Sequence, residues 1–278
     1  MQSRVEKKVV DKKVPLPRAL AYVALSVVLI WGTFFLSWWY HDYIVKQRMK
    51  DDRFIIQGIL TSTPDADCLS SNQLAYLLGL DKERSINLYT FDPDLAELSL
   101  KSFAACRTAQ VRRIRPNAVS VTYEMRRPKF RLIDFEDVAA DDEGYPFSLA
   151  GIYSPKRLIG LYLGVDSLTA NKPLDCPEFS LAKEVLACLE TTLSKTVRIT
   201  RIDTHNVFSS SRGLREVVVG LEDAGQERLL RLSTDRYPDN LRHYLSIKQT
   251  LDELLEPRGQ SQVPQIVDFR GVGFALVR

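Results

Sequence analysis

The sequence predicts an α+β protein carried on a single N-terminal membrane helix. Three observations predict it. Ala19–Tyr40, ALAYVALSVVLIWGTFFLSWWY, runs 22 residues without a charge, close to the ~20 that a helix needs to cross the hydrocarbon of a bilayer. Val119, Val121, Tyr123 and Met125 alternate with Ser120, Thr122 and Glu124, the period of two that marks a half-buried strand. Leu181, Val185, Leu186, Leu189 and Leu193 recur at helical spacing further on, so helices and strands are mixed along one chain.

The span is read as an uncleaved anchor. A signal peptide has an apolar run of about 7–15 residues that ends in a small-x-small cleavage site. Here the run is longer and closes on Trp38, Trp39 and Tyr40, whose rings have an apolar body and a polar handle suited to the headgroup layer. Arg4, Lys7, Lys8, Lys12, Lys13 and Arg18 precede it against Glu6 and Asp11, whereas the basic residues after it are diluted by Asp42, Asp51 and Asp52. Lys and Arg near a membrane segment favour the cytosol, so the expectation is a single-pass inner-membrane protein. Its N-terminus would be cytoplasmic and its bulk periplasmic, with the basic tail held on anionic lipid.

The chain carries 38 basic and 35 acidic residues. With six basic and two acidic residues placed before the span, the remainder is close to neutral. It has no basic run interleaved with aromatics, so nucleic acid is not an expected partner. Cys68, Cys106, Cys176 and Cys188 show no C-x-x-C spacing, and His41, His205 and His243 are the only histidines. Metal ligands clustered at short spacing are therefore missing, and no metal or other cofactor is expected. A disulfide is compatible with an oxidising compartment, but the sequence does not choose a pairing.

The elements follow in order. Residues 1–18 read as a polar tail, and Tyr43–Asp52 as a continuation of the membrane helix. Phe54–Ile59 reads as a strand. Ser70 or Ser71 can cap a helix that buries Leu74, Leu77 and Leu78 and stops at Gly79. Asn87-Leu88-Tyr89 reads as extended chain. Asp92 then caps a helix with Pro93 at its first position, where the missing N–H costs nothing, and Leu95, Leu98 and Phe103 are its expected inward stripe. Two strands flank Pro116-Asn117. Phe130–Asp134 reads as a strand and Tyr145–Pro177 carries no clear period. A helix is expected over Phe179–Ser194. Strands follow at Val197–Asp203, Leu214–Leu221 and Arg228–Leu232, the last two joined by the turn Glu222-Asp223-Ala224-Gly225. A helix over Asn240–Leu255 should bury Leu241, Tyr244, Leu245, Leu251 and Leu255. Strands Ile266–Arg270 and Val272–Val277 close the chain.

Few residues announce chemistry. Ser180-Leu-Ala-Lys183 has the S-x-x-K spacing of penicillin-binding enzymes, but Lys195-Thr196 is followed by Val197 and no K-T-G strand exists. Ser180 is better read as a helix cap. Asp134, Asp137, Asp141, Asp142 and Glu143 are read as a solvated acidic loop, and Arg112, Arg113, Arg115, Arg126, Arg127, Lys129 and Arg131 as outward positions on a half-buried sheet. Asp268 and Arg270, two apart, share one strand face.

Taken together, the chain resembles the FtsQ/DivIB family of bitopic bacterial division proteins. The resemblance rests on an ordered set behind the anchor. It runs Gly58, then Asn87-Leu88-Tyr89, Ala109-Gln-Val111-Arg-Arg113-Ile-Arg-Pro116 and Val119-Ser-Val121-Thr-Tyr123, and Met125-Arg126-Arg127-Pro128 stands where the family has E-R-x-P. Ile133-Asp134 with Asp142-Glu143-Gly144-Tyr-Pro-Phe147 follows, then Ile266-Val267-Asp268-Phe269-Arg270 in place of I-D-L-R. The resemblance implies a cytosolic tail over 1–18 and a transmembrane helix over 19–40. A POTRA domain of β-α-α-β-β order would follow over 41–126, then a strand-rich β domain with two helices over 127–278. It implies a non-enzymatic scaffold that binds FtsB-like and FtsL-like bitopic proteins and, through them, the septal peptidoglycan synthase. The C-terminal strands would receive a partner strand, with Ile266, Phe269, Val272 and Phe274 in contact and Asp268 and Arg270 setting register. The alternatives are a POTRA-bearing component of an envelope secretion or assembly system, and an anchored cell-wall enzyme.

Overall fold

A computed structural model of the chain describes residues 16–64, 68–80, 85–150, 153, 157–193, 197–223, 226–254, 265–271 and 273–277. They are mixed α and β. The chain divides into two compact units, residues 1–58, 83–92 and 113–119 in one and residues 59–82, 93–112 and 120–278 in the other.

The first unit is dominated by helix α1, Leu16–Met49, of 34 residues. At 1.5 Å per residue it is about 51 Å long. The stretch Leu20–Met49 is long enough, and within an 18-residue window apolar enough, to cross a membrane, with none of that window buried against protein. The helix thus outruns the ~30 Å of hydrocarbon and continues past Tyr40, as the sequence suggests. Its end is held by side chains. Asn87 Nδ2 donates to the carbonyls of Arg48 (3.0 Å) and Asp51 (3.2 Å), a second bond for each, since they also accept from the N–H groups of Asp51 and Phe54. Arg48 Nη1 donates to Tyr89 Oη at 2.8 Å, and its guanidinium lies 5.6 Å from the centre of the Tyr89 ring. Asn87-Leu88-Tyr89 is a turn rather than extended chain, because Asn87 Oδ1 accepts from Tyr89 N–H at 2.9 Å and closes the backbone locally. The strand expected over Phe54–Ile59 starts only at Gly58. Asp52–Phe54 is a 3-10 turn, and Ile55 makes only an isolated bridge to Asn87.

Next in chain order come β1 (Gly58–Ser62), α2 (Ser71–Leu77), α3 (Pro93–Ser102), β2 (Cys106–Ile114) and β3 (Ala118–Met125), and the strands stand side by side as β1-β3-β2; both helices belong to the second unit, while Gly58, Arg113, Ile114, Ala118 and Val119 of the strands fall in the first. Ser70 caps α2 through a reciprocal box with Gln73, and Gly79 ends it with φ of +69°, where a Cβ would be strained. Val119 and Val121 are fully buried, with Tyr123 and Met125 nearly so, the inner face that the alternation predicts. Helix α3 corrects its expected stripe. Leu95 and Leu98 are 64% and 63% exposed, while Ala96 and Leu100 are buried. The helix has turned its small residue inward, where its Glu97 Oε2 accepts from Val111 N–H at 3.3 Å.

The rest of the unit is built on β4 (Phe130–Leu132), β5 (Val138–Ala140), β6 (Pro146–Ser148), β7 (Ile159–Tyr162), α4 (Pro177–Thr192), β8 (Arg198–Asp203), β9 (Val217–Asp223), β10 (Gln226–Leu232), α5 (Tyr237–Leu254), β11 (Gln265–Asp268) and β12 (Leu276–Val277). The strands make one sheet in the order β12-β11-β10-β9-β8-β7-β4-β5-β6. Strands β7 and β8 run parallel, as do β10 and β11, because α4 and α5 lie between them in the chain and parallel neighbours need a crossover. These helices bury Phe179, Val185, Leu186, Leu189, Leu241 and Tyr244 in one core with Ile202, Val219, Leu230, Val267 and Phe269. Each such side chain contributes about 1.5–3 kcal/mol on burial. The expected cap moves from Ser180 to Cys176, whose side chain makes no capping bond, with Pro177 opening α4. Leu245 is 38% exposed rather than inward, and Leu255, like Ala224 and Gly225 of the hairpin turn, lies outside the described residues. Tyr145–Pro177 contains β6 and β7, each too short to show a period.

Candidate functional site

The C-terminal strands finish the sheet. Strand β11 lies parallel to β10 with Leu230 opposite Val267 and Arg231 opposite Asp268. Strand β12 pairs antiparallel with β11 through Val267–Val277 and Asp268–Leu276 and is an outermost strand. Alternation sorts the candidate residues between two faces. Val267 and Phe269 are fully buried, and the Phe269 ring meets those of His243 and Tyr244 at 5.5 and 6.0 Å. Its backbone is also committed. Its N–H donates to Arg231 O at 2.8 Å, and its carbonyl accepts from Asn240 Nδ2 at 2.9 Å. Phe269 is therefore a core residue rather than a contact position.

Ile266, Asp268 and Arg270 take the other face and are half-buried. Asp268 and Arg270 belong to a four-charge network. Arg270 Nη2 stands 2.8 Å from Asp268 Oδ2, Arg231 Nη2 is 2.6 Å from Glu216 Oε2, Arg270 Nη1 is 3.2 Å from the same oxygen, and Arg231 Nη1 is 3.5 Å from Asp268 Oδ2. Burial pushes the Asp268 carboxyl up. The hydrogen bonds from the Arg270 side chain and N–H, with the charges of Arg270 and Arg231, outweigh it and hold the group below the usual carboxylate range. Asp268 and Arg270, which share a strand face, are thus an ion pair that extends to Glu216 and Arg231. Glu216 and Arg231 carry no sequence signal that would link them to it.

The strand predicted over Val272–Val277 shortens to Leu276–Val277, after a turn in which Gly273 has φ of +76°. Val272 lies outside the described residues. The Phe274 ring lies over Gly271, where a Cβ would stand 2.5 Å from its Cζ, and the side chain stays 55% exposed. Leu276 and Val277, not singled out from the sequence, are 56% and 41% exposed. Beside them opens a cleft of about 650 Å³ whose walls include Arg212, Arg215, Asp268, Arg270, Phe274 and Leu276. Among the described residues no strand lies outside β12, so the arrangement offers a backbone edge, apolar side chains next to it and a polar hollow.

The remaining candidates are scattered. Ser180 is exposed and Lys183 Nζ sits 4.8 Å over the Phe179 ring. Asp134 turns both carboxylate oxygens to the N–H groups of Leu163 (3.0 Å) and Gly164 (2.8 Å). Arg113 donates through Nε to Phe91 O at 3.0 Å. Asp141 and Arg126 depart from their expected exposure. Asp141 is 3% exposed and pairs with Arg126 at 2.6 Å, so neither is a solvated surface charge. The four cysteines are free thiols, and burial pushes that of Cys106 up to about 11. Among the described residues no group of three or more His, Cys, Asp or Glu is gathered as metal ligands would be. Compared with known proteins, the chain matches no family model and no curated relative.

Proposed function

We propose that this chain is a membrane-anchored, non-enzymatic scaffold of the bacterial division machinery. Its N-terminus lies in the cytosol, and its edge strand β12 captures an FtsB-like bitopic partner by strand addition. One observation carries the reading. The sheet ends on a short strand free of proline, with exposed Leu276 and Val277 beside an open cleft. Unpaired N–H and C=O groups on such an edge are a template for another chain, and flanking pockets select its side chains. The order β1-α2-α3-β2-β3 is compatible with the expected β-α-α-β-β of a POTRA domain, and the long apolar α1 suits a single-pass anchor. Both support the division-protein reading over an isolated binding module. Binding energy alone is the mechanism: backbone bonds supply affinity, and the network of Asp268, Arg270, Arg231 and Glu216 keeps β11 in register as β12 is extended.

The test is site-specific cross-linking in cells that express the full chain with an FtsB-like partner. A photoreactive side chain at Leu276 should capture the partner and one at Ser148, on the opposite sheet edge, should not. Capture at Ser148 and not Leu276, or at neither, overturns the reading. A reporter active only outside the cytosol, fused after Arg278, should be active.

A further inference from the structure

The acidic turn after β5 is part of a buried joint. Arg126, just past the end of β3, places Nη1 2.6 Å from Asp141 Oδ2, with the two side chains only 11% and 5% exposed. Asp141 Oδ1 accepts from Tyr145 N–H at 2.8 Å, and the Arg126 guanidinium lies 3.8 Å from the centre of the Tyr145 ring. The Arg126 side chain leaves its buried Nε without a hydrogen-bond partner among the described residues, but the backbone is engaged. Its N–H donates to Ala105 O at 2.8 Å, and its carbonyl accepts from Tyr153 Oη at 2.7 Å. Glu143 adds an outer layer, 3.6 Å from Arg126 Nη1 and paired with Arg107 of β2.

The turn itself is pinned from behind. Gly144 has φ of +91°, and a Cβ there would stand 2.6 Å from the Phe179 ring. Its carbonyl accepts from Leu174 N–H at 2.9 Å. The Asp141 carboxylate is therefore held by the core of the nine-stranded sheet, while the cation that meets it belongs to the β2–β3 hairpin. Asn171 Nδ2 makes a second tie, to Ser102 O at 2.7 Å. A planar guanidinium held on an aromatic face and by a carboxylate is fixed in direction as well as distance.

We propose that Arg126 is the pin of a charge latch that makes the β2–β3 hairpin and the nine-stranded sheet one rigid body. Only Arg127, Pro128 and Lys129 separate Arg126 from β4, a connection that without the latch would serve as a hinge. With it, a load on one sheet reaches the other. The inference does not depend on what binds at β12.

The experiment measures distance distributions between spin labels carried on ketone side chains at Thr122 of β3 and Glu190 of α4, both exposed, in the full chain in lipid nanodiscs. The unaltered protein should give one narrow distribution. Arg126→Gln should broaden it and raise amide exchange at Tyr145 roughly tenfold or more, because the buried carboxylate loses its partner. Glu143→Gln removes only the outer layer, whose Glu143 side chain is 42% exposed. It should fold normally and broaden the distribution less, and it decides the matter if Arg126→Gln fails to fold. A distribution that stays narrow in every variant that folds overturns the latch.

Discussion

At one edge of the nine-stranded sheet, β6 opens on Pro146, which has no N–H to offer, and the Tyr153 ring lies 5.5 Å from that of Phe147. At the other, β12 carries Leu276 and Val277 with their side chains in solvent and no proline. Edge strands invite pairing with foreign chains, and proteins blunt them with proline, short length or cover. Both edges here are short, but among the described residues only β6 also carries a proline. An edge without proline on a sheet whose other edge has one marks a direction in which the sheet can grow.

Four measurements break or sharpen this contrast. The largest effect belongs to Phe269→Ala. A buried ring beside the β12 edge should cost about 3–5 kcal/mol on truncation, read by chemical denaturation, with partner binding lost along with the fold. Weaker binding at full stability would return Phe269 to the contact surface. Leu276→Glu should leave the melt unchanged and weaken an FtsB-like peptide at least tenfold, about 1.4 kcal/mol, by calorimetric titration. Unchanged affinity would close the edge as a candidate site.

Asp268→Asn should cost about 1 kcal/mol at neutral pH. The folded Asp268 carboxyl sits below its ordinary range, so its contribution is whole above an unfolded value of about 3.9 and is lost as pH falls through the folded one. The unaltered protein should thus lose more stability below about pH 4 than Asp268→Asn does, and identical acid limbs would remove Asp268 from the network. Ser148→Lys, on the β6 edge, should move stability by less than about 0.5 kcal/mol and leave affinity untouched. Lost affinity there would erase the difference between the edges.

Sequence reasoning reached what depends on local pattern. The apolar run, the inner face of β3, the Ser70 cap and the main stripe of α4 are all set by neighbours within a few residues. It failed where two patterns competed. On α3, Leu95, Leu98 and Phe103 are spaced as an inward stripe, but Ala96 and Leu100 are spaced for burial as well, and that pair is the one buried. Strands of three or four residues, β4 to β7, hold too few side chains to declare a period. Phe269 was legible in principle. If Asp268 and Arg270 share one face, the residue between them takes the other. Asp141 was not legible, because its burial depends on Arg126, 15 residues away, and on a turn fixed against Phe179.

The clamp on Arg48 and Asp51 turns the length of α1 into a phase. A helix that ended in slack chain could gain or lose a residue without consequence. One that ends under the Asn87 amide and the Tyr89 hydroxyl cannot, because each residue added between Tyr43 and Arg48 rotates the clamp by about 100° about the helix axis and lifts it about 1.5 Å. The phase of Asn87 and Tyr89 about the helix axis is then written in the residue count between Tyr40 and Arg48.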